Sequence, residues 1–261
     1  MSFWYRGQIH HSNEISLPID SMSWQRGDGI FETLRVVNGT PYFLRRHLDR
    51  LSTSLERCGF PSLDLEYVTN AAIDLAKNGT KAQLERMRIT AYRDGELIMT
   101  LTASKPSVGL QHFMVSRVSV NSASLMSGNK AASYFEFMQQ RAIAERSGFG
   151  DVILSNMNGV ITETSLANLL LEIDGTLRTP TLESGALPGI TRSLILEWSP
   201  EIIEIDTHID ELSKVTAAAS VSSVFGVVPI ESIEHRTLVR SANIAEVSKV
   251  FEERALMNPS Y

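Results

Sequence analysis

Four Asn-Gly or Asp-Gly pairs punctuate the chain: Asn38-Gly39, Asp94-Gly95, Asn158-Gly159 and Asp174-Gly175. Each divides two strand-like runs, as in VILSNMNGVIT and LLLEIDGTLRT. A tight hairpin needs residues that accept positive φ and match the twist of the flanking strands, and these dipeptides do so at least cost. Four such turns commit much of the sheet structure to antiparallel pairing.

Helical periodicity fills the intervals. In FLRRHLDRLSTSLERCG, Leu44, Leu48, Leu51 and Leu55 fall on one face, and Gly59 stands where a C-terminal cap belongs. Further helices are expected at 65–77, 133–147, 190–198 and 240–256. Strands and helices are mixed without strict alternation, which describes an α+β protein. Two domains are expected, 1–118 and 131–261, joined at 119–130 by the small and polar residues of SVNSASLMSGNK.

A chain of 261 residues, 43% hydrophobic, is long enough to bury its own cores. Its net charge of −6 offers no basic stripe for a phosphate backbone, so small molecules rather than nucleic acid are the expected partners. No apolar run approaches the roughly 20 residues that span a bilayer, and the opening MSFWYRGQIHHSNE lacks a signal-peptide pattern. The expected location is the cytoplasm. Cys58 is the single cysteine, which suits a reducing compartment. His10 and His11 point to opposite faces of a strand, and with His47 they make no metal set.

Several residues are placed to carry chemistry. Lys130 stands between a small-residue turn and an aromatic run in LMSGNKAASYFEFM, without another lysine nearby. In ALPGITR, Pro188 and Gly189 break the chain and Ile190-Thr191-Arg192 opens a helix whose first amides lack internal acceptors, a ready anion site. Ser220, Ser222 and Ser223 precede the apolar run of AASVSSVFGVVPI and can add donors to the same anion. Arg50 lies close to the leucine stripe yet is charged, and Glu163 ends a hairpin strand beside small residues. Arg35, Arg88 and Arg93 alternate with apolar residues on strands, a spacing that lets one or two hold a carboxylate. A serine hydrolase is disfavoured, since no G-x-S-x-G elbow occurs.

Taken in order, RGDGIFETLRVVNGTPYFLRRHLDRL, KAASY, GVITETSLANLLLEIDGTLRTP, SGALPGITR and SSVFGVVPI resemble the class IV aminotransferases, the fold type IV family of pyridoxal-phosphate enzymes. The resemblance covers nearly the whole chain. It implies pyridoxal 5'-phosphate as cofactor, with Lys130 forming the Schiff base and acting as general base and acid. It implies Tyr134 at the cofactor's phenolic oxygen, Glu163 at the pyridine nitrogen and Arg50 at the phosphate. Gly189, the amides of Ile190 and Thr191, and the hydroxyls of Ser222 and Ser223 complete the phosphate cup. Phe31, Thr33 and Arg93 are the implied substrate contacts, and 131–261 becomes the cofactor-binding domain. The family implies a homodimer with the cofactor in a cleft between domains. Its chemistry is transfer of an amino group between an amino donor and a 2-oxo acid, with 4-amino-4-deoxychorismate lyase as the alternative. KAASY and ETSLAN stand where branched-chain enzymes carry glycine-rich words, and Gly95 stands at the second position of the R-x-H pair of D-amino-acid transaminases.

Overall fold

Every one of the four glycine dipeptides turns a hairpin in the computed structural model, which describes residues 1–80, 82–105 and 111–260. At Asn38-Gly39 and Asp174-Gly175 both residues adopt positive φ, 49° and 79° in the first and 51° and 75° in the second. Those values are the ones a two-residue turn between right-twisted strands requires.

By its internal packing the chain divides into two units, the first Met1–Pro106 with Asn129–Ser133 and Ala255–Tyr261, the second Ser107–Gly128 with Tyr134–Arg254. Residues 129–133 count with the first unit because Ala131 bridges to Ile30 there.

The first unit contains strands β1 (Ser2–Tyr5), β2 (Gln8–His10), β3 (Gly29–Val37), β4 (Thr40–Pro41), β5 (Leu84–Tyr92) and β6 (Leu97–Ala103). They form one antiparallel sheet in the order β2-β1-β6-β5-β3-β4. Its helices are α1 (Met22–Arg26), α2 (Leu44–Arg57) and α3 (Leu65–Lys77). The leucine stripe of α2 is buried, together with Val68, Ala72 and Leu75 of α3, against Leu34, Val36, Met87, Ile89, Met99 and Leu101 of the sheet. Alternation along a strand then sends Phe31, Thr33, Arg35, Arg86, Arg88 and Thr90 to the opposite face. Gly59 follows the end of α2 with φ +67°, so the Phe60 amide reaches back to the Leu55 carbonyl and closes the helix.

The second unit holds β7 (His112–Val115), β8 (Asp151–Ser155), β9 (Ile161–Thr164), β10 (Asn168–Ile173), β11 (Thr176–Thr179), β12 (Ile203–Glu204), β13 (Val215–Ser222), β14 (Gly226–Ile230), β15 (Ser232–Ile233) and β16 (Arg236–Thr237). Two five-stranded sheets result, β12-β11-β10-β13-β14 and β16-β15-β7-β8-β9. Pairing is mainly antiparallel, with parallel joins of β11 to β12 and of β7 to β8 and β15. Helices α4 (Phe135–Arg146), α5 (Ile190–Trp198) and α6 (Ala242–Met257) lie within two residues of the expected bounds.

Ser220 departs from expectation. It sits inside β13, opposite Leu169 and Val228, with its hydroxyl donating to the Val228 carbonyl, and the turn comes after Ser222. Pairing on both sides carries the alanine-rich VTAAASVS through as a strand.

Candidate active site

Lys130 is pinned by its backbone. The Phe31 amide donates to the Lys130 carbonyl at 2.8 Å, and the Ala132 amide donates to the Gly29 carbonyl at 2.7 Å, so KAA lies as a short antiparallel strip against the start of β3. Gly29 keeps that strand start close to its neighbour, since a Cβ there would meet the Tyr92 ring at 2.8 Å. The half-buried Lys130 Nζ lies 4.8 Å from the centroid of the buried Phe31 ring, and the Arg88 guanidinium lies 3.5 Å from the same centroid. Arg88 also donates from Nε to the Thr90 hydroxyl at 3.2 Å, and Thr33 stands directly across the ladder from it. Amine, aromatic ring and guanidinium thus share one face of the sheet.

Behind that strand, on the core side, Glu32 is buried against Arg50 and His47 of α2. Arg50 grips it bidentately, Nε to Oε1 at 2.7 Å and Nη2 to Oε2 at 2.6 Å, and His47 Nδ1 lies 2.7 Å from Oε2. Burial alone pushes the Glu32 carboxyl up, but Arg50 and His47 overcome it and hold the group down at about 2. Burial also pushes the His47 imidazole down, against the pull of Glu32, which keeps it neutral at ordinary pH. Arg50 is consequently locked in orientation before any ligand arrives.

Arg93 is not brought to this group. Its Nε donates to Asp28 Oδ2 at 2.7 Å, its Nη1 reaches the carbonyls of Cys58 and Gly59, and its guanidinium covers the Phe60 ring at 4.0 Å. It closes the end of α2 onto the turn after β5.

The second unit contains the rest of the expected set. Gly189 precedes α5 in extended conformation, and a Cβ there would fall 1.9 Å from Asn168 Oδ1, which is held in place as Asn168 Nδ2 donates to the Leu187 carbonyl at 2.9 Å. Ile190 and Thr191 are buried in the first turn, and the Thr191 hydroxyl has no partner among the described residues. Ser222 ends β13, its hydroxyl taking the Phe225 amide at 3.4 Å, and Ser223 follows in the turn, half-buried. Glu163 is buried in β9. Tyr134 donates to the Ser165 carbonyl at 3.0 Å and stacks on Phe137 at 4.8 Å. The Ser165 hydroxyl in turn donates to buried Asp151, whose carboxyl burial pushes up against the opposing pull of Ser165 and the Val152 amide.

A family model described as amino-transferase class IV matches residues 29–233, the span that contains every expected site residue. The chain belongs to that family. A probable branched-chain-amino-acid aminotransferase of Thermotoga maritima is 26% identical over 247 residues, covering 90% of this chain and 88% of that protein. An aminodeoxychorismate lyase of Vibrio harveyi is 22% identical over 253 residues, covering 88% and 91%. The solved structure of a hypothetical aminotransferase from Mycobacterium tuberculosis in its PLP-bound form has a TM-score of 0.89 at 20% identity, covering 99% of this chain and 100% of that one. At that identity the likeness is one of fold, and the fold is type IV.

Within this class IV aminotransferase, Glu32, His47, Ser165, Asp151 and Asn168 were not among the expected site residues. One signal was available: His47 and Arg50 lie three apart on α2, on the face that carries the leucine stripe, where charge calls for a buried counter-charge. The carboxylate that answers it lies in a different element.

Proposed function

We propose that the protein is a pyridoxal-phosphate-dependent transaminase moving an amino group between an amino acid and a 2-oxo acid. The observation that carries this reading is the pairing of Lys130 and Arg88 at 4.8 and 3.5 Å from one aromatic ring. An amino acid offers a carboxylate to the guanidinium and an acidic α carbon to the amine. The relative from Thermotoga maritima, named as an aminotransferase, supports the same chemistry.

The residues present fit the cofactor. At Gly189 there is no room for a side chain, the Thr191 hydroxyl is buried without a partner among the described residues, and the first amides of α5 have no acceptors inside the helix. That combination suits a phosphate at the positive end of the helix dipole. When bound, pyridoxal phosphate supplies a carbonyl carbon for the substrate amine and a ring that accepts the electrons released at the substrate's α carbon. Lys130 would hold the cofactor through its side-chain amine and would move the α-carbon proton at Nζ. Arg88 orients the substrate carboxylate, with Phe31 and Thr33 beside it. Glu163 would keep the ring nitrogen protonated, the Tyr134 hydroxyl would turn its hydrogen from the Ser165 carbonyl to the phenolic oxygen, and Arg50, Ser222 and Ser223 would each offer donors to the phosphate. No helix among the described residues is long and apolar enough to cross a membrane. The lone thiol of Cys58 suits the cytoplasm. Exposed Leu125, Met126, Phe135 and Met138 in the second unit support a homodimer.

The test is the visible absorption of the purified protein on addition of single donors (L-leucine, L-glutamate, D-alanine, D-glutamate) without any 2-oxo acid. A cofactor band that is lost with one donor, and is missing in Lys130→Ala, is the expected result. A band that persists with every donor sinks transamination and favours cleavage of aminodeoxychorismate to p-aminobenzoate and pyruvate, the activity named for the Vibrio harveyi relative.

A further inference from the structure

Asp151 opens β8 with its side chain buried, and it makes no ion pair among the described residues. Arg141 of α4 favours its charged form from a distance but is itself bonded to Glu145 Oε1 at 2.8 Å. Buried carboxylates are costly and are usually paired, so this one calls for a reason. Its Oδ1 accepts from the Val152 amide at 2.8 Å and from the Ser165 hydroxyl. The first of these bonds is local. The second reaches across to the turn between β9 and β10, just where the β8–β9 ladder ends at the pair Ile153 and Thr164.

That turn is closed by its own bonds. The Thr164 amide donates to the Ala167 carbonyl at 2.8 Å, and the Thr164 hydroxyl accepts from the amides of Leu166 at 3.2 Å and Ala167 at 2.9 Å. It therefore moves as one piece, and the Ser165 hydroxyl ties the piece to β8. Glu163 is the residue before it, and the Ser165 carbonyl within it accepts from the Tyr134 hydroxyl at 3.0 Å. Asn168, the residue after it, reaches the Leu187 carbonyl ahead of α5. We propose that Asp151 is a positioning residue: by holding the Ser165 hydroxyl it fixes the turn that aims Tyr134 and Glu163 at the cofactor ring. The inference deepens the transaminase reading and rests on it only in taking pyridoxal phosphate as the cofactor, so it stands equally under the lyase activity. Asp151 itself touches neither cofactor nor substrate and acts through Ser165.

The experiment is titration of the full chain, freed of cofactor, with pyridoxal phosphate, read by quenching of protein fluorescence and by the visible circular dichroism of the bound cofactor. Wild type is compared with Asp151→Ala, Asp151→Asn, Ser165→Ala and the double variant Asp151→Ala/Ser165→Ala. Asp151→Ala and Ser165→Ala should each bind roughly ten- to a hundredfold more weakly, the range for a hydrogen bond to a charged group, and both should alter the dichroism. The double variant should be no worse than Asp151→Ala, because the same bond is lost in all three. Asp151→Asn keeps an oxygen acceptor on the same stem and should retain most of the affinity. If Asp151→Ala does not fold, Ser165→Ala and Asp151→Asn decide the matter. Additive losses in the double variant, or wild-type affinity and dichroism in Ser165→Ala, overturn the positioning role. So do lowered melting temperatures with an unchanged dichroism, the mark of a purely structural group. A wild type that binds the cofactor but whose band no amino donor moves removes the transaminase reading and leaves the positioning role standing, whereas one that binds no pyridoxal phosphate overturns both.

Discussion

In the first unit the groups that can meet an anion are side chains on long stems, Arg50, Arg88 and Lys130, whereas in the second they are the amides that open α5 and the hydroxyl of Thr191. The two solutions fail in different ways. A side-chain cation is strong and needs a counter-charge when no ligand is bound, which is the work of Glu32 on Arg50. Backbone amides carry no net charge and need no partner ion, but they need space, which is the work of Gly189. The first unit should therefore be sensitive to charge and pH, and the second to the volume of single side chains.

The largest effect belongs to Lys130. Lys130→Ala removes the proton-transferring amine, and product formation from the preferred donor, with pyridoxal phosphate added to the assay, should slow by at least roughly 10²–10⁴-fold. The backbone bonds that fix residue 130 do not involve its side chain, so the melting temperature should stay close to that of wild type. A variant that unfolds would show that Lys130 is structural.

Next is the buried pair on the charged side of the comparison. Glu32→Gln leaves Arg50 and His47 without their shared carboxylate and should cost roughly 3–5 kcal/mol in denaturant unfolding. The sign of its pH dependence follows from a folded value of about 2 against an ordinary 4.5. The stabilisation is complete above 4.5 and is lost as pH falls toward 2, so wild type loses stability across that window and Glu32→Gln does not. His47, pushed down by burial, acts in the same direction at higher pH: its neutral form is favoured in the fold, and stability falls as pH drops below the ordinary imidazole value of 6.5. Parallel acid titrations of wild type and variant would break the argument if their slopes matched below 4.5.

How much of this was legible in the sequence depends on separation along the chain. The four hairpins and the α2 stripe are local patterns, so Asn38-Gly39 and Leu44 to Leu55 announce themselves. The words around Lys130 and Gly189 were legible as a resemblance. The bond of Ser165 to Asp151 depends on the register of β9 against β8, which no local period encodes. Glu32 was invisible as a site residue for the same reason: alternation puts it on the core side of β3, and only packing of α2 supplies His47 and Arg50. Arg93 illustrates the reverse case, a cation with suitable spacing whose partners, Asp28 and the carbonyls ending α2, are structural.

On the steric side of the comparison the effects are smaller. Gly189→Ala sets a Cβ against Asn168 Oδ1, and forcing that side chain aside breaks its bond to the Leu187 carbonyl. Overpacking of this kind costs typically 1–3 kcal/mol, and the apparent Kd for pyridoxal phosphate should rise along with it. An alanine variant that melts and binds as wild type does would show that the cradle has slack.

The smallest effect separates the two solutions most cleanly. Thr191 buries a hydroxyl that has no partner among the described residues, and an unmatched buried hydroxyl costs about 1–3 kcal/mol. Thr191→Val removes that cost while keeping the shape, so the cofactor-free protein should gain up to about 1 kcal/mol, a rise of roughly 2–4 °C in Tm. The same variant should bind pyridoxal phosphate more weakly, because the donor it lacks is the one the phosphate would use. Opposite signs for stability and affinity are expected only of a group kept for a ligand. The charged side offers no such pattern at Glu32, where loss of the carboxylate lowers stability and cofactor affinity together, since the group that orients Arg50 also holds the fold. A Thr191→Val protein that is less stable without cofactor would place that hydroxyl among the structural groups and leave Gly189 and the α5 amides as the whole of the second unit's anion site.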